Sequence, residues 1–338
     1  MKKWFLVGLL ALTACSEKEE TGMSSAGNRI YVLQGISETV SIYDIDNDTL
    51  LSDVFLTGNT PNYIIFDRDR GYIVNSGFTG DASINIFDPN TNEKMADFLL
   101  PSGSNPYAAA VAEGRLFVTL FLRDMVYVLD AETGDFIDSI PVKSGPEGII
   151  AANGAVYVAC TGIQPDYSYS DAWVLKIDPK TLEVIDSLKV GINLQTLALD
   201  STGRLHAVAT GDYSGWEGRI YVIDPDDFIL LDSLLIGGYP GNITVNADNI
   251  AYLTDWNLGL LSYDAATLTP IHDAGNPITV GTGAMGIDVD GENRIYVTLY
   301  SASDTNWIEV ISGDSILASI NLGTAVGASA LRFRPAEP

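Results

Sequence analysis

The sequence predicts an all-β protein, a seven-bladed β-propeller with four-stranded antiparallel blades. One reason is a repeat whose period is typical of propeller blades. Its aligned positions lie 41, 45, 40, 49, 46 and 44 residues apart and hold Tyr31, Tyr72, Phe117, Tyr157, His206, Tyr252 and Tyr296. The other reason is that each unit contains four short β-rich runs separated by Gly, Asn, Asp and Pro, without helical periodicity from residue 28 onward.

The fourth unit shows the four predicted strands most clearly. From the axis outward, strands A to D are "PEGIIAAN", "AVYVAC", "AWVLKID" and "LEVIDSLKV", within residues 140–190. Strand A is small and apolar because seven such strands meet at the axis, where bulky side chains would collide. Strand D carries Glu183, Asp186 and Lys189, and charges on an outer strand oppose pairing with another molecule.

The two ends of the chain predict how the ring closes. Residues 28–56 supply only strands B, C and D, whereas the C-terminal "GASALRFRP" has the pattern of a strand A with no strand B after it. We therefore expect residues 328–333 to complete the first blade beside the N-terminal strands. The propeller then spans residues 28–334, and residues 335–338 form a short tail.

An aspartate turn, clearest in "IDPKT" at residues 177–181, joins strand C to strand D. Asp at the first turn position accepts hydrogen bonds from following N–H groups, and Pro fixes φ at the next position. The repeated acids are Asp88, Asp130, Asp178, Asp224 and Asp264. Since a catalytic site needs one acid and a ring needs seven turns, we interpret these residues as turn formers.

The N-terminus is typical of a secreted lipoprotein. A basic pair and a short apolar run make residues 1–14 a signal peptide, and Leu12-Thr13-Ala14-Cys15 resembles the bacterial lipobox. Cys15 is then lipidated and anchors the chain through a linker, residues 15–27. "SEKEE" after it is similar to the acidic tags of surface lipoproteins, which favours the outer membrane and leaves open the cell-surface or periplasmic face.

Composition excludes several classes of partner. The net charge of −26 becomes −28 once Lys2 and Lys3 leave with the signal peptide, because 16 basic side chains then face 44 acidic ones. A field of that sign repels phosphate backbones and anionic lipids, so we predict no nucleic-acid partner and membrane contact by the lipid anchor only. The other cysteine, Cys160, lies in an apolar strand and is predicted to be a buried hydrophobe without chemistry.

The unit "GPEGIIAANGAVYVAC…AWVLKIDPKTLEVIDSLKV" resembles the YVTN or YncE-like propeller repeat across residues 28–334. Some lipoproteins of that family capture nutrients, including corrinoids, beside an outer-membrane transporter, which the resemblance implies as a partner. Haem d1 and quinoprotein relatives use His ligands or a second subunit. This chain has no C-x-x-C-H, and we place His206 on a core strand and His272 in a loop. We therefore predict no cofactor.

The long D–A and B–C connections share one face of the propeller, and function is expected there. Its B–C loops are rich in aromatic residues: Phe78, Tyr167, Tyr169, Trp173, Tyr213, Trp216, Trp256 and Trp307. We predict ligand contacts for Tyr213, Trp216, Trp256 and Trp307, since aromatic faces suit sugars, planar rings or corrinoids. For Trp307 and Trp173, which align at the start of strand C, packing between blades is the alternative.

The D–A turns bring polar residues to the mouth of the axial channel. The predicted ring consists of Asn62, Tyr107, Glu147, Gln195, Asn242 and Met285. Because the starts of the A strands converge, these side chains should surround one small space, which is either a ligand site or a water-filled funnel.

Two main functions remain, a non-catalytic lipoprotein that binds a small molecule, corrinoid or glycan, and a hydrolase or lactonase-like enzyme. The enzyme would hold a calcium-type metal through Glu147, Asn62 and Asn242. Against it, the sequence shows no Ser-His-Asp arrangement and no zinc-ligand spacing. We therefore favour binding without a metal, and a protein-docking scaffold is a further alternative.

Overall fold

The computed structural model describes residues 27–78 and 80–336. These residues form seven four-stranded antiparallel sheets arranged as a seven-bladed propeller, as predicted. A single 3-10 turn, Phe121–Arg123, interrupts the β structure of the described chain. The predicted signal peptide and Cys15 lie outside the described residues.

The strands follow the predicted blade boundaries. The first three blades contain β1 (Arg29–Gln34), β2 (Thr39–Asp44), β3 (Thr49–Leu56), β4 (Pro61–Asp67), β5 (Arg70–Asn75), β6 (Ser83–Asp88), β7 (Glu93–Leu99), β8 (Pro106–Ala112), β9 (Arg115–Leu120), β10 (Met125–Asp130) and β11 (Phe136–Pro141). The fourth and fifth contain β12 (Pro146–Ala152), β13 (Ala155–Cys160), β14 (Asp171–Asp178), β15 (Glu183–Ile192), β16 (Leu194–Leu199), β17 (Leu205–Ala209), β18 (Arg219–Asp224) and β19 (Ile229–Leu235). The last two contain β20 (Pro240–Val245), β21 (Ile250–Asp255), β22 (Gly259–Asp264), β23 (Thr269–His272), β24 (Ala284–Val289), β25 (Ile295–Leu299), β26 (Thr305–Ser312) and β27 (Ser315–Thr324).

The ring closes through the C-terminal strand, as the chain order predicts. Strand β28 (Ala328–Arg334) pairs antiparallel with β1, from Arg29 opposite Arg334 to Gln34 opposite Ala328. The inner strands β4, β8, β12, β16, β20, β24 and β28 contact one another in a closed circle around the axis. The first blade therefore joins both ends of the described chain.

Hydrophobic packing lies between the blades. Each of seven buried clusters combines side chains from two neighbouring blades, for example Tyr157 with Leu205 and Ile223. A propeller blade is a single sheet, so its apolar faces are covered only by the next blades. The free Cys160 is buried in one such cluster, where burial raises the pKa of its thiol to about 12.

The aspartate turns hold backbone N–H groups, as the sequence suggested. The Asp178 carboxylate accepts hydrogen bonds from the N–H groups of Lys180 at 2.7 Å and Thr181 at 3.2 Å. The repeated tyrosine completes the unit, because the Tyr157 hydroxyl donates to the carbonyl of Pro225 in the next blade's turn at 3.0 Å. The tyrosine of one repeat and the turn of the following repeat are thus one inter-blade contact.

One placement differs from the sequence-based expectation. His272 is the last residue of β23 and is buried, with Nδ1 2.9 Å from Oγ of Ser262, so its assignment to a loop was wrong. Its strand has only four residues, and the Pro270 within it hides the alternating pattern that identifies a strand. Within the described residues, no helix has both the length and the apolar character needed to cross a bilayer.

Candidate functional site

A β-bulge at the start of each inner strand positions the candidate site. The register of the inner strand shifts between Pro106 and Ala109 in the third blade and between Pro146 and Ile149 in the fourth. Equivalent shifts occur in all seven blades. A bulge re-aims the side chains of its extra residues, and here those residues include the ones predicted to surround the channel.

The structure brings all six predicted residues of the channel mouth together. A space of about 290 Å³, here called the mouth cavity, is lined by Asn62, Tyr107, Glu147, Gln195, Asn242 and Met285. Ser329, the bulged residue of β28, also lines it and is the seventh member of the ring. The shared space confirms the predicted geometry, whereas ligand binding by these residues stays a prediction.

A second space opens beside the mouth cavity. This aromatic cavity of about 400 Å³ is lined by Tyr213, Tyr239 and Trp256 together with Thr210 and Asp255. The two spaces share five lining residues, which are Tyr107, Gln195, Gly241, Asn242 and Met285. A ligand placed in one of them therefore contacts the walls of the other.

A third space of about 360 Å³ continues along the axis below the mouth cavity. It shares Asn62, Tyr63, Thr196 and Asn242 with the mouth cavity. Its charged residues, Asp288 and Arg332, lie 3.5 Å apart and neutralise each other. This axial cavity thus adds depth without a net charge.

Glu147 is the central acid of the mouth cavity. Only 5% of its surface is exposed, and its Oε2 has no hydrogen-bond partner among the described residues. Burial raises the pKa of this carboxyl well above its usual value. Gly148 beside it is required by packing, since a Cβ there would lie 2.6 Å from the carbonyl oxygen of Gln195 in the next inner strand.

The amide groups of the ring use their nitrogens to tie blades together. Nδ2 of Asn62 donates to the Pro106 carbonyl at 3.3 Å, and Nδ2 of Asn242 donates to the Met285 carbonyl at 3.0 Å. The buried Oδ1 of Asn62 has no partner among the described residues. The amide oxygen of Asn62 therefore still has the capacity to accept a hydrogen bond.

Two tyrosines, Tyr107 and Tyr169, share the electrostatic environment of Glu147. The Glu147 carboxylate is the main reason that the pKa of the Tyr107 phenol lies well above its usual value, followed by burial and by Tyr213 and Tyr169. Burial, then Tyr213 and Glu147, raise the pKa of Tyr169 to about 12. Tyr213 also accepts a 3.4 Å hydrogen bond from Nε2 of Gln195. The Tyr107 hydroxyl, which lines both cavities, therefore stays protonated at neutral pH and can donate to a ligand.

The predicted aromatic contacts separate into two groups. Tyr213 and Trp256 line the aromatic cavity, where the Tyr213 ring lies 5.1 Å from that of Tyr239 and the Trp256 ring 5.6 Å from that of Tyr300. Trp216 is 59% exposed and lines neither the mouth cavity nor the aromatic cavity.

Trp307 lies on β26 and packs against the cluster between the sixth and seventh blades, outside both cavities. Trp173 packs similarly between the third and fourth blades, with the Lys143 ammonium 4.9 Å from the ring centroid. For these two tryptophans the geometry fits the packing alternative.

Sequence reasoning missed the hydroxyl groups that support the ring and two lining residues, Tyr239 and Asp255. Oγ1 of Thr119 donates to the Glu147 carbonyl at 2.7 Å, and Oγ1 of Thr254 donates to the Met285 carbonyl at 3.1 Å. A signal exists, since "RLFVTL", "IAYLTD" and "RIYVTL" all place Thr next to last in strand B.

The mouth cavity offers few side chains that could coordinate a metal ion. Asn62, Glu147 and Asn242 line one cavity, but they offer a single carboxylate. Among the described residues, no group of three or more His, Cys, Asp or Glu side chains could hold a metal ion. A divalent hard cation usually takes six or more oxygen ligands and several carboxylates, so these residues fit it poorly.

No protein-family model matches the sequence, and no curated protein matches it. Among solved structures, the chain is similar to hydrazine synthase of Kuenenia stuttgartiensis, with a TM-score of 0.63 and 17% identity over 80% of this chain and 88% of that one. It is also similar to a quinonprotein alcohol dehydrogenase-like protein from Bacteroides thetaiotaomicron, with a TM-score of 0.63 and 18% identity over 88% of this chain and 76% of that one. A third similar structure is apo AztD from Citrobacter koseri, with a TM-score of 0.58 and 11% identity over 92% of this chain and 99% of that one. At these identities the likenesses establish the fold alone, a seven-bladed β-propeller.

Proposed function

We propose that the protein is a non-catalytic binding protein that holds a small organic molecule in the mouth cavity and the aromatic cavity. The supporting observation is that Glu147 and Asn62 both line the mouth cavity, and that each has one buried oxygen, Oε2 and Oδ1, without a hydrogen-bond partner among the described residues. Buried polar atoms in native proteins are nearly always hydrogen-bonded. A bound ligand that donates hydrogen bonds would satisfy both atoms.

The size and lining of the two cavities support the same proposal. Their volumes of about 290 and 400 Å³ lie at the lower end of the range of small-ligand sites, which is roughly 300–1,000 Å³. Such sites combine apolar walls with a few placed polar groups, and here Tyr213 and Trp256 supply the walls while Gln195 and Asn242 supply amides. A sugar-sized ligand fits, and a corrinoid would insert only part of its structure.

The proposed location of the protein in the cell is supported by the sequence alone. The lipobox and the YncE-like repeat support an outer-membrane lipoprotein, anchored through Cys15, that presents its long-loop face to ligands. A corrinoid or glycan captured there would pass to an outer-membrane transporter.

The lipid-free protein, residues 28–338, can be tested by thermal unfolding with corrinoids, glycan fragments and small amines. A ligand at about 100 times its Kd stabilises the folded state by roughly 2.7 kcal/mol. We expect Trp256→Ala, which removes a cavity wall, to abolish the shift. Trp216→Ala removes a tryptophan that is also exposed but lies outside both cavities, and should leave the shift unchanged. Equal effects of the two variants would contradict binding at this site.

Adding EDTA and then calcium in the same experiment distinguishes the binding proposal from the hydrolase alternative. Stabilisation by an organic ligand that EDTA does not affect supports the binding proposal. Destabilisation by EDTA that calcium reverses, and that Glu147→Gln removes, would overturn it in favour of a metal-dependent site formed by Glu147, Asn62 and Asn242.

A further inference from the structure

The two linked cavities are acidic and have no opposing base. The mouth cavity contains one carboxyl, Glu147, and the aromatic cavity contains another, Asp255. Among the described residues, neither space is lined by Lys, Arg or His. With a net charge of −26, the whole chain also attracts cations.

The two acids differ in what they already bind. Asp255 is satisfied by the backbone, since its Oδ2 accepts the N–H of Tyr239 at 2.7 Å and its Oδ1 accepts the N–H groups of Asn257 at 2.9 Å and Leu258 at 3.0 Å. Glu147 Oε2 has no such donor. Asp255 therefore has a structural role, while Oε2 of Glu147 retains its capacity to accept a hydrogen bond from a ligand.

The walls around these acids suit a positive charge. Tyr107 lines both cavities, and Tyr213, Tyr239 and Trp256 line the aromatic cavity. The face of an aromatic ring attracts cations within about 6 Å, and Trp does so most strongly. An anionic ligand would meet Glu147 and the electron-rich ring faces without a compensating base.

We propose that the ligand is an organic ammonium ion, a primary or secondary amine whose N–H groups bond to Glu147 Oε2 and Asn62 Oδ1. Its carbon skeleton lies against Tyr107, Tyr213 and Trp256. This inference rests on the proposed binding function and specifies the ligand class for the same cavities. A single-carboxylate site with aromatic walls favours a singly charged organic cation over a divalent metal.

Binding would change the protonation of Glu147. The carboxyl is held toward its neutral form by burial, and the groups that face it are Tyr107 and Tyr169, with the Asp288–Arg332 ion pair in the axial cavity below. An arriving ammonium ion compensates the carboxylate, so Glu147 loses its proton to solvent while the amine keeps its own. Up to one proton is released for each ligand bound.

The test compares three probes of nearly equal shape on the unmodified propeller: phenethylamine, 2-phenylethanol and phenylacetate. A hydrogen bond to a charged group contributes roughly 1.5–3 kcal/mol, so we expect the amine to bind about ten- to a hundredfold more tightly than the alcohol. Phenylacetate should bind most weakly. Calorimetry in two buffers of different ionisation enthalpy should show proton release for the amine only.

Two matched variants locate the effect. Glu147→Gln should reduce the preference for the amine over the alcohol about tenfold or more. Glu309→Gln is the control, because Glu309 also has an unpartnered Oε2 and a pKa raised by burial but lines neither the mouth cavity nor the aromatic cavity. We expect it to leave the preference unchanged.

The outcomes separate this inference from the function on which it rests. Equal or tighter binding of the alcohol or of phenylacetate, or an amine preference that survives Glu147→Gln, would overturn the ammonium inference. A glycan or corrinoid that binds in a Trp256-dependent, Glu147-independent way would do the same and support the proposed function. If no probe, glycan or corrinoid stabilises the protein, both are wrong.

Discussion

Thr119 Oγ1 lies 2.7 Å from the main-chain oxygen of Glu147 and donates a hydrogen bond to it across the boundary between the third and fourth blades. The same hydroxyl accepts the N–H of Ala108, at 3.0 Å, inside the bulge of its own blade. One side chain thus satisfies the irregular backbone of one inner strand and holds the next in place. The contact ties the backbone of Glu147 at the channel mouth to the third blade.

The arrangement recurs around the ring. Hydroxyls near the inner strands donate to main-chain oxygens of the following inner strand in four described blades: Thr119 to Glu147, Thr210 to Pro240, Thr254 to Met285 and Ser329 to Pro61. A bulge leaves backbone groups without ladder partners, and a nearby hydroxyl supplies the missing bond. The bulges and the hydroxyls therefore form one structural unit.

Replacing Thr119 with Val should disturb both the fold and the site. Val keeps the shape and removes the hydroxyl, which leaves the N–H of Ala108 and the carbonyl of Glu147 without this partner. Leaving a buried polar group unpaired costs about 1–3 kcal/mol. We expect a loss of that size in urea unfolding and weaker ligand binding. Thr119→Ser restores the hydroxyl and should recover most of both, whereas equal losses in Ser and Val would indicate a packing effect instead.

Glu147 should make the stability of the ligand-free protein depend on pH. Because burial raises the folded-state pKa of this carboxyl, its contribution is most favourable below the unfolded pKa of about 4.3 and is lost as pH rises through the folded pKa. Glu147→Gln should therefore gain stability relative to the native protein from pH 5 to pH 9. In a protein of this size, 1 kcal/mol changes Tm by about 2–4 °C, so the gain is measurable. The exposed Glu132→Gln serves as the control.

A buried polar cluster in the fifth blade carries a different pH dependence. The Asp200 carboxylate accepts hydrogen bonds from the Thr202 hydroxyl at 2.7 Å, from Nε of Arg204 at 2.7 Å and from Nε2 of His206 at 3.3 Å. Burial raises its pKa, but these hydrogen bonds outweigh burial and lower it to about 2. With Nε2 of His206 donating, the Tyr263 hydroxyl at 2.7 Å donates to Nδ1. These contacts all lie within the fifth and sixth blades, which marks the cluster as structural.

Asp200→Asn should be among the most destabilising single changes. Removing one partner of a buried ion pair costs about 3–5 kcal/mol. Because the folded pKa is below the unfolded one, the stabilisation is present above about pH 4 and is lost as pH falls through 2. The gap between the two proteins in urea unfolding should therefore be widest at pH 5 to 7 and narrow below pH 3. A gap that is constant with pH would contradict this role, and the exposed Asp226→Asn serves as the control.

The fold was predictable because its signals are local and repeated. Strand boundaries follow Gly, Asn and Pro, and the turn at Asp178 is formed by hydrogen bonds within four residues. Closure of the ring was also predictable, since the first unit lacks a strand A and the last run of the chain lacks a strand B.

The site was predictable only in part. Residues at the starts of inner strands had to converge, which placed Glu147 and Asn62 correctly in one cavity. The aromatic residues of the B–C loops are not forced to converge in this way. The sequence therefore could not distinguish Trp256, which lines the aromatic cavity, from Trp216, which lines neither the mouth cavity nor the aromatic cavity. The missing partner of Glu147 Oε2 depends on contacts between blades, and no local pattern records it.

The closing strand offers the last prediction. Leu331 on β28 is 5% exposed and packs where the seventh blade meets the first, so Leu331→Ala leaves a cavity at the closure. Such substitutions cost about 2–5 kcal/mol. Leu317→Ala, on the outer strand β27 where the side chain is 58% exposed, should change stability by less than about 0.5 kcal/mol. Urea unfolding of the two variants measures the difference. Similar small effects in both would mean that β28 adds little to the ring, and that the first blade is held mainly by β1, β2 and β3.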